Sequence, residues 1–243
     1  MGTSKGYSAP TMPPWGELKK SVTRFADEGA LAPNSAKGIL GNYIRANGGA
    51  QRIAQGGGTI GGGKISQKVA GNIGGFFSSI GELGFRETLR QAGLEALAGK
   101  PFKEIIYFLL DYLGGPSNTI DEVDARNALS RLLDELLGDA DDFESIENIL
   151  EEKSQGETLV NLLILFFGYY LYEQFCRVFY ERLVTRVGEA KAESFLGSIL
   201  DYIKEALRFK SLDQDISKID WAGAEGQQLT DNMLQTTLEV FGG

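Results

Sequence analysis

Between Glu157 and Glu173 the chain reads LVNLLILFFGYYLY, fourteen residues from Leu159 to Tyr172 with Asn161 as the one amide among them. So much apolar surface has to be covered, and its pattern lacks the apolar–polar alternation of a half-buried strand. A helix that spans a bilayer needs about 20 such residues. The run therefore predicts a helix buried at the centre of a bundle, continuing to Val187.

Other helices must surround it, and the sequence supplies them. Pro14 fits the first turn of a helix that carries Leu18, Val22 and Phe25 on one face and stops at Gly29. Asn34 or Ser35 is placed to cap a second, with Ile39, Leu40, Tyr43 and Ile44 inward and an end at Gly48-Gly49. Ile65–Leu83 is amphipathic although rich in glycine. Its Gly71 and Gly75 form G-x-x-x-G in a setting too polar for a membrane, which predicts close helix contact in a soluble fold.

Pro101 opens a helix with Phe102, Ile105, Ile106, Leu109, Leu110 and Leu113 on a broad apolar face, ended by Gly114-Gly115-Pro116. Thr119-Ile120-Asp121-Glu122 matches a capping box, and the leucines that follow run to Gly138. Shorter patterns mark helices at Phe143–Leu150, about Ala190–Phe209 and Gln227–Phe241. With no run of alternating strands and no repeat, the expected fold class is all-α, an irregular helical bundle. It has a flexible N-terminal tail (residues 1–13), a basic glycine-rich helical half (14–115) and an acidic helical half (116–243), the halves packed as one domain.

The basic and acidic halves are plain in the composition. Residues 1–110 hold 13 Lys and Arg against 7 Asp and Glu, and residues 111–243 hold 11 against 26, for a total of −9. So acidic a chain is a poor general nucleic-acid binder. Its halves are expected to attract each other within the fold, although the basic half could also meet an acidic partner.

The chain contains no histidine, which excludes Ser-His-Asp and Cys-His catalysis and every histidine-containing metal site. The single cysteine, Cys176, lies in an aromatic run and reads as a small core residue. One cysteine forms no intrachain disulfide, and the N-terminus lacks an apolar signal region, so a cytoplasmic protein is expected.

Two stretches imitate known sites. From Gly58 the residues GTIGGGK fit G-x-x-x-x-G-K, but the hydroxyl position is Ile65 and the preceding residues are not strand-like. GGGTIGGGK (Gly56–Lys64) therefore reads as a flexible connector, the Gly-rich strap, whose glycines let the chain turn freely, and not as a nucleotide site. Asp139, Asp141 and Asp142 lack the other EF-hand positions and read as helix N-capping ahead of Phe143. Asp213 and Asp215 could hold a weak Mg²⁺, but exposed loop carboxylates are the plainer reading. No catalytic residue, metal site or cofactor is assigned.

The start MGTS remains. A small second residue permits removal of Met1 and frees the Gly2 amine, whereas the myristoylation pattern fails at Gly6. MGTS, a Tyr/Ser/Gly/Pro tail running into Pro13-Pro14-Trp15, a basic glycine-rich N-terminal half and an acidic helical C-terminal half together resemble the QatB family, the B components of a four-gene anti-phage defence system. The resemblance implies company with a P-loop-type ATPase, a QueC-like enzyme and a TatD-like nuclease. It further implies a chain that is not itself an enzyme. QueC-like enzymes activate a carboxylated 7-deazaguanine with ATP and pass it to a nitrogen nucleophile. The resemblance implies a protein N-terminus as that nucleophile, which by position carries over to Gly2, with Thr3, Ser4, Lys5, Gly6, Tyr7 and Ser8 expected to enter the partner. The competing reading is a membrane-perturbing effector using Ile65–Leu83 and Leu159–Tyr172.

Overall fold

In a computed structural model the described residues are 10–28, 31–154, 156–208, 216 and 219–242. They form eleven α-helices and no strand. The apolar run lies inside the longest, α9 (Gly156–Val187), of 32 residues. Leu163, Phe166, Phe167, Tyr170 and Phe175 are buried on every side of it. It packs most extensively on α7 (Ile120–Leu137) and α10 (Glu189–Leu207), and also touches α1 (Pro13–Glu28), α4 (Lys64–Leu83) and α11 (Ala224–Glu239). By length and hydropathy α9 could cross a bilayer, but 78% of its apolar window is buried in the protein.

The remaining elements are α2 (Pro33–Ala46), α3 (Ala50–Ala54), α5 (Phe85–Gln91), a short 3-10 helix (Glu95–Gly99), α6 (Phe102–Gly114) and α8 (Phe143–Lys153). Helix ends follow local chemistry. Thr119 and Glu122 close the expected capping box on α7. Asp142 caps α8 by accepting from Ser145 N at 2.8 Å, which holds its carboxyl below the usual range. At α2 the expectation is corrected: Ala32 is the N-cap and Pro33 opens the helix, so neither Asn34 nor Ser35 caps. A proline's fixed φ and missing N–H suit that first position, which leaves the next two residues inside the helix.

One continuous core joins the basic and acidic halves, with Trp15, Tyr43, Phe77, Phe175, Phe195 and Phe241 fully buried in it. The expected attraction between the halves is a minor contribution. Arg86–Glu147 at 2.6 Å sets a base of the first half against an acid of the second, whereas Asp27–Arg186 at 3.9 Å and Asp111–Arg126 run the other way; Arg86 and Arg186 are well exposed. Such exposed pairs contribute at most about 1 kcal/mol each.

Candidate functional site

The expected site residues Gly2, Thr3, Ser4, Lys5, Gly6, Tyr7 and Ser8 lie outside the described residues, as do Asp213 and Asp215. The description begins at Pro10, whose carbonyl accepts from Lys19 Nζ at 2.9 Å. Five residues on, Trp15 meets Tyr43 edge to face with ring centroids 5.8 Å apart. The root of the tail is thus bound to the α1–α2 pair.

The Gly-rich strap follows α3, a helix and not a strand, and leads directly into α4, with Lys64 its first residue. It is held down, not free. Thr59 N–H donates to Asn47 O at 3.1 Å and Gly63 N–H to Ile53 O at 2.8 Å. Ile60 N–H donates to the Asn47 side-chain oxygen at 2.7 Å, and Tyr170 Oη to Gly62 O at 3.2 Å. A Cβ on Gly58 would strike the Gly61 carbonyl, one on Gly62 the backbone of Gly56, and one on Gly63 the Leu234 side chain. Close approach of backbone to neighbours, more than freedom to turn, is what the glycines provide here.

Under the strap, α7 and α9 form a polar brace. Tyr170, Gln174 and Arg177 lie at i, i+4 and i+7 on α9, one face of the helix. Gln174 Nε2 donates to Tyr170 Oη at 3.0 Å, and Arg177 reaches Asp124 at 2.9 Å and Asp121 at 3.4 Å. Beside them Arg131 pairs with Glu173. Burial is the main cause that pushes the Asp124 carboxyl up to about 7; Asp121 and Glu173 add to it and Arg177 opposes. Cys176 on the same helix is largely buried, which pushes its thiol up to about 12 and keeps it from acting as a nucleophile.

An open cleft of about 1050 Å³ runs along α4, between α5 and the start of α11. Lys64, Lys68, Phe76, Tyr112, Trp221 and Asp231 are among its walls. Its serine and threonine hydroxyls are occupied: Ser79 Oγ donates to Gly75 O at 3.0 Å, Thr88 Oγ1 to Gly84 O at 2.9 Å and Thr230 Oγ1 to Gln227 O at 2.9 Å. None of the brace carboxylates lines it, and among the described residues no group of three His, Cys, Asp or Glu could hold a metal ion.

The G-x-x-x-G face of α4 also differs from expectation. A Cβ on Gly71 or Gly75 would make only ordinary contact, with Trp221 O at 3.5 Å or Trp221 Cβ at 3.6 Å, in the turn ahead of α11 and not on another helix; the tight approach is at Gly74 beside them. A Cβ on Gly74 would collide with the indole, whose Nε1–H donates to Ser78 Oγ at 2.7 Å. Sequence reasoning missed Trp221 and the brace. The spacing of Tyr170, Gln174 and Arg177 in an apolar helix was a signal for the brace; nothing local announced Trp221, 147 residues from Gly74.

No curated protein and no solved structure matches the chain. One family model does, that of the Qat anti-phage system associated protein QatB, over residues 48–241. The match covers the strap, the brace, the cleft and α9, and begins after Gly2–Ser8. It spans most of the chain's 243 residues, and the chain belongs to the QatB family, a component of anti-phage defence.

Proposed function

We propose that this chain is a non-enzymatic defence component that binds a QueC-like enzyme of its system in the cytoplasm and is modified by it at the amine of Gly2. The family match supports the defence role and, with it, partners drawn from the same system; the resemblance suggests the QueC-like enzyme first, with the ATPase and the TatD-like nuclease as further candidates. Amine chemistry supports the acceptor. An α-amino group has a pKa of about 7.7–8.0 against about 10.4 for lysine, so at neutral pH its uncharged fraction is far larger. The Gly2 nitrogen would attack the activated carboxyl of a 7-deazaguanine, form the new C–N bond, expel the activating group and lose a proton.

The tail's root supports the geometry. Lys19 holds Pro10 on a rigid body, and eight extended residues, 2–9, reach at most about 28 Å beyond it. The acceptor can therefore enter a pocket in another protein while the helical body stays outside and contributes contacts. The two segments that a membrane-perturbing reading needs are core: Val69, Ile73, Phe77 and Ile80 of α4 are buried, as is the apolar stretch of α9. Exposing them to lipid would require the bundle to come apart.

Gly2→Trp tests the reading. Protection against phage should be lost while the melting temperature of the chain stays that of the parent. Full protection from the substituted chain would overturn it.

A further inference from the structure

Helix α6 carries large apolar residues on both sides. Of its thirteen residues, FKEIIYFLLDYLG, nine are apolar or aromatic. Ile105, Leu109, Leu110 and Leu113 are buried in the bundle. The other side carries Tyr107, Phe108 and Tyr112, which are 65%, 43% and 47% exposed. Isolated exposed apolar residues need no explanation, but here three large rings stand together, interleaved with Lys103, Glu104 and Asp111, on the outward face of one helix.

The outward residues fall into two rows at i, i+4 and i+8: Lys103, Tyr107, Asp111 and Glu104, Phe108, Tyr112. The face is held in place from behind. Tyr112 rests edge to face on Phe76 with centroids 5.8 Å apart. Arg126 pairs with Asp111 and donates to Leu110 O and Gly115 O, each at 3.2 Å. Ile120 and Val123, one short loop further on, are exposed as well.

We propose that this face pairs with the same face of a second copy of the chain, α6 antiparallel to α6 across a two-fold axis through Tyr107. The charges select this occupant. Lys103 stands one turn before the central ring and Asp111 one turn after it, so an antiparallel two-fold sets each Lys103 opposite Asp111 of the second copy. The face is its own complement, as an isologous interface requires. Lys103 has no ion-pair partner among the described residues, and Asp111 is 69% exposed despite its arginine. The three rings, each about half exposed, offer roughly 300 Å² per copy. That is well below the roughly 800 Å² per partner of a standard interface, so the pairing is a weak, transient one.

Sedimentation velocity of the full chain, from low micromolar to about 200 µM, tests this. A shift from monomer to dimer is expected across that range. Lys103→Asp and Asp111→Lys should each raise the dissociation constant about tenfold or more, since each sets like charges opposite one another, and the double variant should restore association. Asp111→Lys also removes the Arg126 pair, so melting temperatures are read alongside; Lys103→Asp breaks no intrachain pair and decides the matter by itself if the other variant fails to fold. Tyr107→Ser should weaken the dimer without changing the fold. A monomer at every concentration, or a dimer indifferent to Lys103→Asp, overturns the proposal. So does a monomer that binds lipid vesicles through Tyr107, which would assign the face to a membrane.

Discussion

Asp124 shows how one residue couples this fold to pH. Its carboxyl is buried between α7 and α9, and in the folded chain it ionises near 7, chiefly because burial penalises the charge. In the unfolded chain it ionises near 4. Between those values the folded state keeps a proton that the unfolded state has lost. This group's contribution therefore makes stability fall as pH rises from about 4 to about 7, and go flat above. Asp124→Asn, neutral throughout, should remove that slope. Denaturant unfolding of both proteins across this range checks it: their stability difference should change with pH below about 7 and be constant above. Parallel profiles would show that Arg177 keeps Asp124 ionised in the fold. None of this was legible in IDEVDAR, where Asp124 looks like any helical acid; its burial comes from the packing of α7 on α9, and its partner Arg177 stands 53 residues away.

At the scale of elements, what the sequence shows depends on whether the cause is local. The capping box at Thr119, the cap at Asp142 and the extent of α9 follow from neighbours within a few positions, and the structure agrees with them. The helix opened by Pro33 was misjudged at its start because two good capping residues come directly after the proline. The strap was harder to judge. Glycine serves both a chain that must turn and a backbone that must be approached closely, and only distant partners, Tyr170 on α9 and Leu234 on α11, distinguish the two. Alanine substitutions separate them by sign. Gly62→Ala pushes a methyl into the Gly56 backbone and should destabilise by about 1–3 kcal/mol. Gly38 lies inside α2 with open space around it, and Gly38→Ala should stabilise by about 0.5–1 kcal/mol. Thermal or denaturant unfolding of the two variants reads both, and a Gly62→Ala protein as stable as its parent would mean the strap is loose after all.

For the molecule as a whole, the structure describes a helical body with a polar brace, an open cleft and an exposed group of aromatic rings, and family membership places it in anti-phage defence. The all-α class was legible because nearly every helix has its own punctuation. The aromatic face was not, since Tyr107, Phe108 and Tyr112 look like core until the bundle shows which side of α6 is already full. The acceptor reading comes from resemblance and amine chemistry, and its residues precede both the described body and the matched region. Intact mass followed by N-terminal peptide mapping tests it most directly, on chain purified from cells that carry the complete system and from cells that carry the chain alone. The account predicts an added mass of a 7-deazaguanine acyl group, mapped to Gly2, in the first sample and its absence in the second. An unmodified Gly2 in both, or the added mass on a lysine, would contradict it.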